Sequence, residues 1–202
     1  MLCTLSEQER QAVQHFDDRV RRGDLEERRA FLDDFIMSAF LALPEDPEVV
    51  DVGCGFGRAV PLLERVGFTR YLGIDPSEKS IEHCRGKFPG HAFEVDEVRT
   101  IGFHYPSRFD AFFLTAVLMH LPPQDLGVAV SSLRLSLKKG AVGLFSLPYS
   151  NVGVTRQIES VGGLTVTLFA IDEVIRIFTS NGFELPDTNV CDPMFLGHAV
   201  AI

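Results

Sequence analysis

Hydrophobic positions along the chain follow two patterns. Through residues 6–43 apolar side chains recur at helical spacing, with Val13, Phe16 and Val20 on one segment and Phe31, Phe35, Ala39 and Phe40 on the next. The pattern predicts helices over 6–22 and 24–43, separated at Gly23. Ser6, followed three residues later by Glu9, has the form of a capping box, and Pro44 and Pro47 stop the second helix. Beyond that point short apolar runs alternate with helical stretches. Val49–Val52, Tyr71–Ile74, Phe93–Val95 and Phe109–Leu114 read as strands, and Leu137-Lys138-Lys139-Gly140 reads as a helix end whose glycine turn leads into a fifth strand reaching Ser146. Near the C-terminus Phe183–Leu185 and Phe195–Ile202 read as two strands joined around Asp192-Pro193. Alternation of this kind implies an α/β doubly wound sheet, parallel in the main, with its ligand crevice at the carboxyl ends of the strands. A helical arm over 1–47 and a core over 48–202 are the expected divisions, with no internal repeat and no low-complexity tract.

Composition narrows the class. The chain has 202 residues, long enough for one sizeable core, with 46% hydrophobic and 23% charged residues, as in globular proteins. A net charge of −9 gives no general attraction to a phosphate backbone, so no nucleic-acid partner is expected. Cys3, Cys54, Cys84 and Cys191 have no Cys-x-x-Cys spacing and read as reduced thiols in a cytoplasmic protein. The N-terminus turns charged at Glu7, Glu9 and Arg10, unlike a signal peptide. The apolar runs fall short of the ~18 residues that cross a bilayer, so no membrane association is expected.

The junction after the first strand carries the chemistry. Val49-Val50-Asp51-Val52 runs into Gly53-Cys54-Gly55-Phe56-Gly57-Arg58. Glycine permits positive φ and close backbone approach, and a helix beginning at such a turn offers unpaired N–H groups to a polar or anionic ligand. The dinucleotide fingerprint G-x-G-x-x-G needs its third glycine where this chain has Arg58; Gly57 comes one place early. Tyr71-Leu72-Gly73-Ile74-Asp75 then closes a strand on a carboxylate about twenty residues beyond the loop, a position suited to both hydroxyls of a ribose. Phe93-Glu94-Val95-Asp96 ends the next strand on another acid, and Arg108-Phe109-Asp110 leads through Phe113 to Val117-Leu118-Met119-His120-Leu121-Pro122.

In this order the segments resemble the class I S-adenosylmethionine-dependent methyltransferases, over residues 49–202. The resemblance implies a Rossmann-like, seven-stranded, mostly parallel sheet closed by an antiparallel C-terminal hairpin. It implies S-adenosyl-L-methionine as cofactor, with S-adenosyl-L-homocysteine as product and no metal. Gly53, Cys54, Gly55 and Gly57 would lie against the methionine and ribose, and Asp51 would order the loop or the cofactor's amino group. Asp75 and Pro76 would meet the ribose, Asp96 with the Glu97-Val98 backbone the adenine, and Leu114, Thr115 and Ala116 the methionine. Met119, together with Tyr149, Arg156 and Phe169 in the loop after the fifth strand, where the family often builds a lid, would contact substrate. The arm would close over the cofactor, with Phe16 and Arg19 facing it.

Each role has a plainer competitor. Asp51 suits the satisfaction of loop donors, Asp75 the start of a helix at Pro76-Ser77-Glu78, and Arg58, read as opening the helix after the loop, a surface pair with Glu64. After Asp96 the family's Leu-Pro-Phe is replaced by Val98-Arg99-Thr100-Ile101-Gly102-Phe103. His120 is the candidate general base, because histidine titrates near neutral pH; holding the strand-to-helix turn is its other role. Thr115-Ala116-Val117-Leu118 stands where amino-methyltransferases acting on adenine in DNA carry an Asn/Asp-Pro-Pro-aromatic signature, and no Pro-Cys pair supports cytosine chemistry. A small-molecule acceptor methylated on oxygen or nitrogen is therefore expected. The alternative is a noncatalytic S-adenosylmethionine-binding module of the same fold. A nicotinamide oxidoreductase is more remote, given the glycine spacing and the lack of a Tyr-x-x-x-Lys pair.

Overall fold

The computed structural model of the chain describes residues 4–23, 43, 45–160, 163–191 and 194–202. Helix α1 (Glu7–Arg22) begins at the capping box expected from the sequence: Ser6 Oγ accepts from the Glu9 N–H (3.3 Å), and Glu9 Oε2 accepts from the Ser6 N–H (2.7 Å). It ends at Gly23, whose φ of +69° lets the chain leave in the left-handed conformation. The helix expected over 24–43 lies outside the described residues apart from Leu43.

Strands β1 (Val49–Val52), β2 (Tyr71–Asp75), β3 (Ala92–Val95), β4 (Phe109–Thr115) and β5 (Leu137–Pro148) are parallel and joined through helices. Of the remaining strands, β6 (Arg156–Glu159) and β7 (Thr165–Leu168) form a separate antiparallel ribbon. Strands β8 (Phe183–Cys191) and β9 (Met194–Ala201) complete a seven-stranded sheet of order β3-β2-β1-β4-β5-β9-β8, in which β9 is antiparallel to both neighbours. This is the doubly wound, Rossmann-like sheet with an antiparallel C-terminal hairpin that the sequence predicts. The turn at Asp192-Pro193 lies outside the described residues.

Helices α2 (Val60–Val66), α3 (Glu78–Lys87), α4 (Ile101–His104), α5 (Leu126–Ser136) and α6 (Ile171–Ser180) cover the sheet. One apolar cluster gathers Val50, Phe112, Phe145 and Phe178 with α5 and α6, and a second gathers Val49, Leu63, Ile81 and Phe113 with α2 and α3. The alternation of strand side chains explains the division: Val49 and Val50, or Phe112 and Phe113, point to opposite faces. Phe145 stacks on Phe178 with ring centroids 4.3 Å apart, and burial of each such ring stabilises the fold by roughly 1.5–3 kcal/mol.

Three local expectations need correction. Gly140 does not end a helix: α5 stops at Ser136, and Gly140, at φ +80°, sits inside β5, where the register against β4 shifts between Phe109 and Ala111. The glycine therefore accommodates a strand irregularity. Arg58 does not open a helix, because positive φ at Gly53, Gly55 and Gly57 keeps the loop out of the helical region until Ala59 caps α2. The segment after β5 is not a plain loop, since β6 and β7 pair from Arg156↔Leu168 to Glu159↔Thr165. Among the described residues no helix is long and apolar enough to cross a membrane.

Candidate active site

Four strand ends and one helix enclose a cavity of about 450 Å³. The glycine loop after β1 is its base. Gly53, Gly55 and Gly57 have φ of +69°, +51° and +75°, and the loop is braced from the neighbouring strand: the Gly53 and Cys54 N–H groups donate to Ile74 O at 2.8 and 2.9 Å. A Cβ at Gly53 would stand 2.4 Å from Val117 Cγ2, so this glycine is required both by conformation and by space. A Cβ at Gly55 would meet nothing within 4 Å.

Asp75 ends β2 beside the loop. Its Oδ2 accepts from the Gly55 N–H (3.0 Å) and its Oδ1 from the Ser77 N–H (2.9 Å). An ionised carboxylate has about four acceptor positions, so two remain for a vicinal diol at the cavity wall. Burial pushes the Asp75 carboxyl up to about 6; the Ser77 and Gly55 N–H groups oppose the rise, and the charge of Asp17 adds to it. The helix start at Pro76-Ser77-Glu78 is capped by Ser77, whose Oγ accepts from the Ser80 N–H. Asp75 thus stands beside the N-cap and accepts its N–H, as the plainer reading has it.

Asp51 lies inside β1, 4% exposed, and accepts a 2.9 Å hydrogen bond from the Tyr71 hydroxyl. Burial raises its carboxyl to about 7 against that hydrogen bond; the Asp75 charge raises it further and the Arg58 charge lowers it. The sign for stability follows. The native state holds a proton that the unfolded chain releases near 3.8, so the contribution is full below about 4 and is lost as pH rises through 7. Asp51→Asn keeps an acceptor for Tyr71 and removes the ionisation. In the cofactor-free protein it is expected to add about 1–4 kcal/mol to stability at pH 8 and little at pH 4. Urea unfolding at both pH values measures this, and a gap that does not widen toward pH 8 refutes it.

The far end of the cavity is built from β4 and α1. Thr115 and Ala116 leave the strand, and Ala116 has φ +57°, held by donation of its N–H to Ser146 O (2.8 Å) and Ser146 Oγ (3.1 Å). Such a conformation in a residue with a side chain is strained and clusters at functional sites. Met119 and His120 follow in a single 3₁₀ turn, Leu118–His120, and both line the cavity. The His120 ring meets Phe16 of α1 edge-on at 5.9 Å; Phe16 also meets Phe56 of the glycine loop at 6.0 Å, with the Arg19 guanidinium 5.3 Å from the Phe56 centroid. Phe16 and Arg19 both line the cavity. α1 forms a roof, with Glu9, Ala12 and Val13 also on the wall. Gln8 fastens it by donating to Met119 O and Thr167 Oγ1, and Asp17 does so by accepting from Ser77 Oγ.

Asp51, Gly53, Cys54, Gly55, Gly57, Asp75, Pro76, Glu97, Val98, Thr115, Met119 and His120 meet at this cavity, whereas Asp96, Leu114, Tyr149, Arg156 and Phe169 do not line it. Leu114 alternates with Phe113 and Thr115 along β4 and is buried on the opposite face. Phe169 is fully buried in the same apolar cluster, with Tyr149 packed against it, and Arg156 is exposed on β6. Asp96 is held by the Thr100 hydroxyl (2.6 Å), the Glu97 N–H (2.8 Å) and His104 Nδ1 (2.7 Å). Sequence reasoning missed Glu9, Phe56, Val117 and Leu164 as wall residues. Only Glu9 carried a signal, as an acid on the apolar side of a capped amphipathic helix. Among the described residues no group of three or more His, Cys, Asp or Glu is placed to hold a metal.

A family model described as a methyltransferase domain matches residues 25–186. Over 90 residues the chain is 37% identical to a trans-aconitate 2-methyltransferase of Methylobacterium nodulans, covering 44% of this chain and 33% of that one. Over 184 residues it is 27% identical to mRNA cap guanine-N(7) methyltransferase 1 of Arabidopsis thaliana, covering 76% and 49%. It therefore spans between a third and a half of the length of these curated relatives. A similar solved structure is the Burkholderia thailandensis 1,6-didemethyltoxoflavin-N1-methyltransferase with 1,6-didemethyltoxoflavin and S-adenosylhomocysteine bound: TM-score 0.75, 18% identity, 100% of this chain and 93% of that chain. Another is the magnesium protoporphyrin IX methyltransferase of Synechocystis with S-adenosylhomocysteine bound: TM-score 0.73, 21% identity, 97% and 100%. At these identities the structural likeness is one of fold. The family match, covering most of the chain, is the stronger finding: this chain belongs to the methyltransferase-domain family.

Proposed function

We propose that the protein transfers a methyl group from S-adenosyl-L-methionine to an oxygen or nitrogen of a small-molecule acceptor. The observation that carries this reading is the meeting of three positive-φ glycines, a buried carboxylate with acceptor capacity to spare, and a histidine on one cavity of about 450 Å³. Small-molecule sites occupy roughly 300–1,000 Å³. The cofactor, when bound, supplies an electrophilic methyl group, so the protein has mainly to align, desolvate and remove a proton. Positioning alone can contribute roughly 7–11 kcal/mol.

In this reading Gly53, Gly55 and Gly57 let the backbone approach the methionine and ribose, and Asp75 accepts the ribose diol. The α1 roof excludes water. His120 stands at the end remote from Asp75 and acts as the base that takes the acceptor's proton. Trans-aconitate and 1,6-didemethyltoxoflavin, in the names of two similar methyltransferases, are small molecules and support such an acceptor. The mRNA cap in the name of a third points to RNA, against which stands the net charge of −9. A binding-only module is not favoured, because Met119, His120 and Leu164 line the same cavity as the glycine loop and Asp75 and leave it a wall for an acceptor. Free, buried Cys54 and Cys84 support a cytoplasmic location.

Calorimetric titration with S-adenosylhomocysteine and with NADH, followed by transfer of labelled methyl to small carboxylic acids, heteroaromatic amines and capped RNA, tests the proposal. Binding of the adenosyl ligand alone and label in a small acceptor are expected. Preference for NADH, or label only in RNA, overturns it.

A further inference from the structure

Two buried thiols, Cys54 and Cys84, have no part in the proposed chemistry, and the fold brings them together. Cys54 belongs to the glycine loop and Cys84 to α3, yet both sit in the same apolar cluster. Cys84 Sγ donates to Gly55 O at 3.2 Å, Cys54 Sγ lies 3.9 Å from the same oxygen, and the two thiols hydrogen-bond to each other. Their access differs. Cys84 has no exposed surface, whereas Cys54 lines the cavity and is 5% exposed.

The loop that carries Cys54 has little slack. A Cβ at Gly53 would stand 2.4 Å from Val117 Cγ2, and one at Gly57 would stand 2.6 Å from Phe88 Cε2 and 3.3 Å from Cys84 Sγ. The loop is thus packed against the exit of β4 on one side and α3 on the other. Its Gly53 and Cys54 N–H groups are held by Ile74 O, and its Gly55 N–H by Asp75. Drawing the Cys54 sulfur onto Cys84 therefore moves backbone that faces the cavity and shifts Gly55 against Asp75.

We propose that Cys54 and Cys84 form a reversible disulfide, with a hydroperoxide as the oxidant, and that this bond takes the glycine loop out of its ligand-binding conformation. The disulfide follows from the cysteine geometry; its effect on the ligand rests on the adenosyl cofactor proposed above. Disulfides in reducing compartments are commonly transient and redox-sensing.

The electrons balance between the two sulfurs and the peroxide. With hydrogen peroxide, the Cys54 thiolate attacks one oxygen, the O–O bond breaks, and a sulfenic acid forms; the other oxygen leaves as hydroxide, which the proton lost by Cys54 turns to water. The Cys84 sulfur then displaces the sulfenic hydroxyl. The S–S bond forms, the S–O bond breaks, and the hydroxyl leaves with the Cys84 proton as a second water. The hydrogen bond with Cys84, burial and the charges of Asp75 and Asp51 push the Cys54 thiol up. Thiolate is therefore scarce, and the pair answers sustained oxidant slowly.

The test treats the reduced protein with hydrogen peroxide, maps its cysteine peptides by mass spectrometry, and titrates S-adenosylhomocysteine before oxidation, after it and after dithiothreitol. A linked Cys54–Cys84 peptide and an affinity loss of about tenfold or more, restored by dithiothreitol, are expected. Coupling is reciprocal, so saturating S-adenosylhomocysteine should slow the cross-link and raise the potential of the pair by about 30 mV for each tenfold of affinity lost. Cys84→Ser keeps a hydroxyl donor for Gly55 O and should lose no affinity under the same treatment. Cys84→Ala serves if the serine variant does not fold, and the wild-type peptide map needs neither. Absence of the Cys54–Cys84 link, a linked protein whose affinity stays within twofold, or an equal loss in the Cys84 variant overturns the inference. A reduced wild type that does not bind S-adenosylhomocysteine overturns the function proposed above and the effect on the ligand with it, while the linked peptide still decides the disulfide.

Discussion

Asp75→Ala is expected to weaken S-adenosylhomocysteine binding by about 100-fold or more. The carboxylate would accept both ribose hydroxyls, and each hydrogen bond to a charged acceptor is worth about 1.5–3 kcal/mol. Two such bonds correspond to roughly 10²–10⁴ in affinity. The substitution also removes the acceptor for the Gly55 N–H, so the loop keeps only the hydrogen bonds of Gly53 and Cys54 to β2. The pH dependence gives a second readout with a definite sign. Asp75 is pushed up to about 6 in the free protein, and the diol favours the ionised form, so affinity should rise about tenfold per pH unit below 6 and level off above 7. Asp51, raised to about 7, titrates in the same region. The Asp75→Asn variant separates the two, since it should lose the rise between pH 5 and 6. Titration calorimetry at pH 5, 6, 7 and 8 reads both effects. Wild-type affinity that falls with pH over this range, or an alanine variant within threefold of wild type, sinks the assignment.

Arg99→Met is expected to destabilise the protein by about 3–5 kcal/mol, the usual cost of removing one partner from a buried ionic group. Arg99 is 6% exposed and sits among Glu9, Glu97 and Asp125, whose side chains are 6%, 12% and 24% exposed. Each carboxylate comes from a different part of the chain: α1, the segment after β3, and the turn before α5. Methionine matches the length of the side chain but leaves these carboxylates without their shared cation. The loss should therefore shrink toward pH 4, where protonation removes the uncompensated charge, and Glu97, already raised by burial, should protonate early. Adding Glu9→Gln should recover part of the loss. Urea unfolding at pH 7.5 and 4.5, with limited proteolysis within α1, measures the effect. A change below about 1 kcal/mol at pH 7.5 would show that the cluster does not hold the helix.

Much of the site was legible because its signals are local. An apolar run that ends in Asp75, and glycines at 53, 55 and 57 after another such run, report on one strand end and one turn. Ser6 and Glu9 report on one helix start. Substrate-facing residues were less legible. Leu114 and Thr115 are adjacent, yet only Thr115 reaches the cavity, because strand alternation sends Leu114 into the core. Tyr149 and Phe169 read as lid aromatics in a supposed loop, but an isolated parallel bridge joins them just past β5 and β7, and Phe169 is fully buried. For Asp96, an acid at a strand end was legible; its capture by Thr100 and His104 depends on where α4 begins.

The sequence by itself determined the order of the seven strands of the main sheet, the conformation of the glycine loop and the carboxylates at the ends of β2 and β3. Periodicity, backbone freedom and capping act within a few residues, so they can be read along the chain. Only the tertiary structure decided that α1 roofs the cavity, that Arg99 gathers Glu9, Glu97 and Asp125, and that Asp51 and Asp75 are raised toward neutral pH. Each of these depends on groups distant in the chain coming together out of water, where desolvation and pairing set the energy.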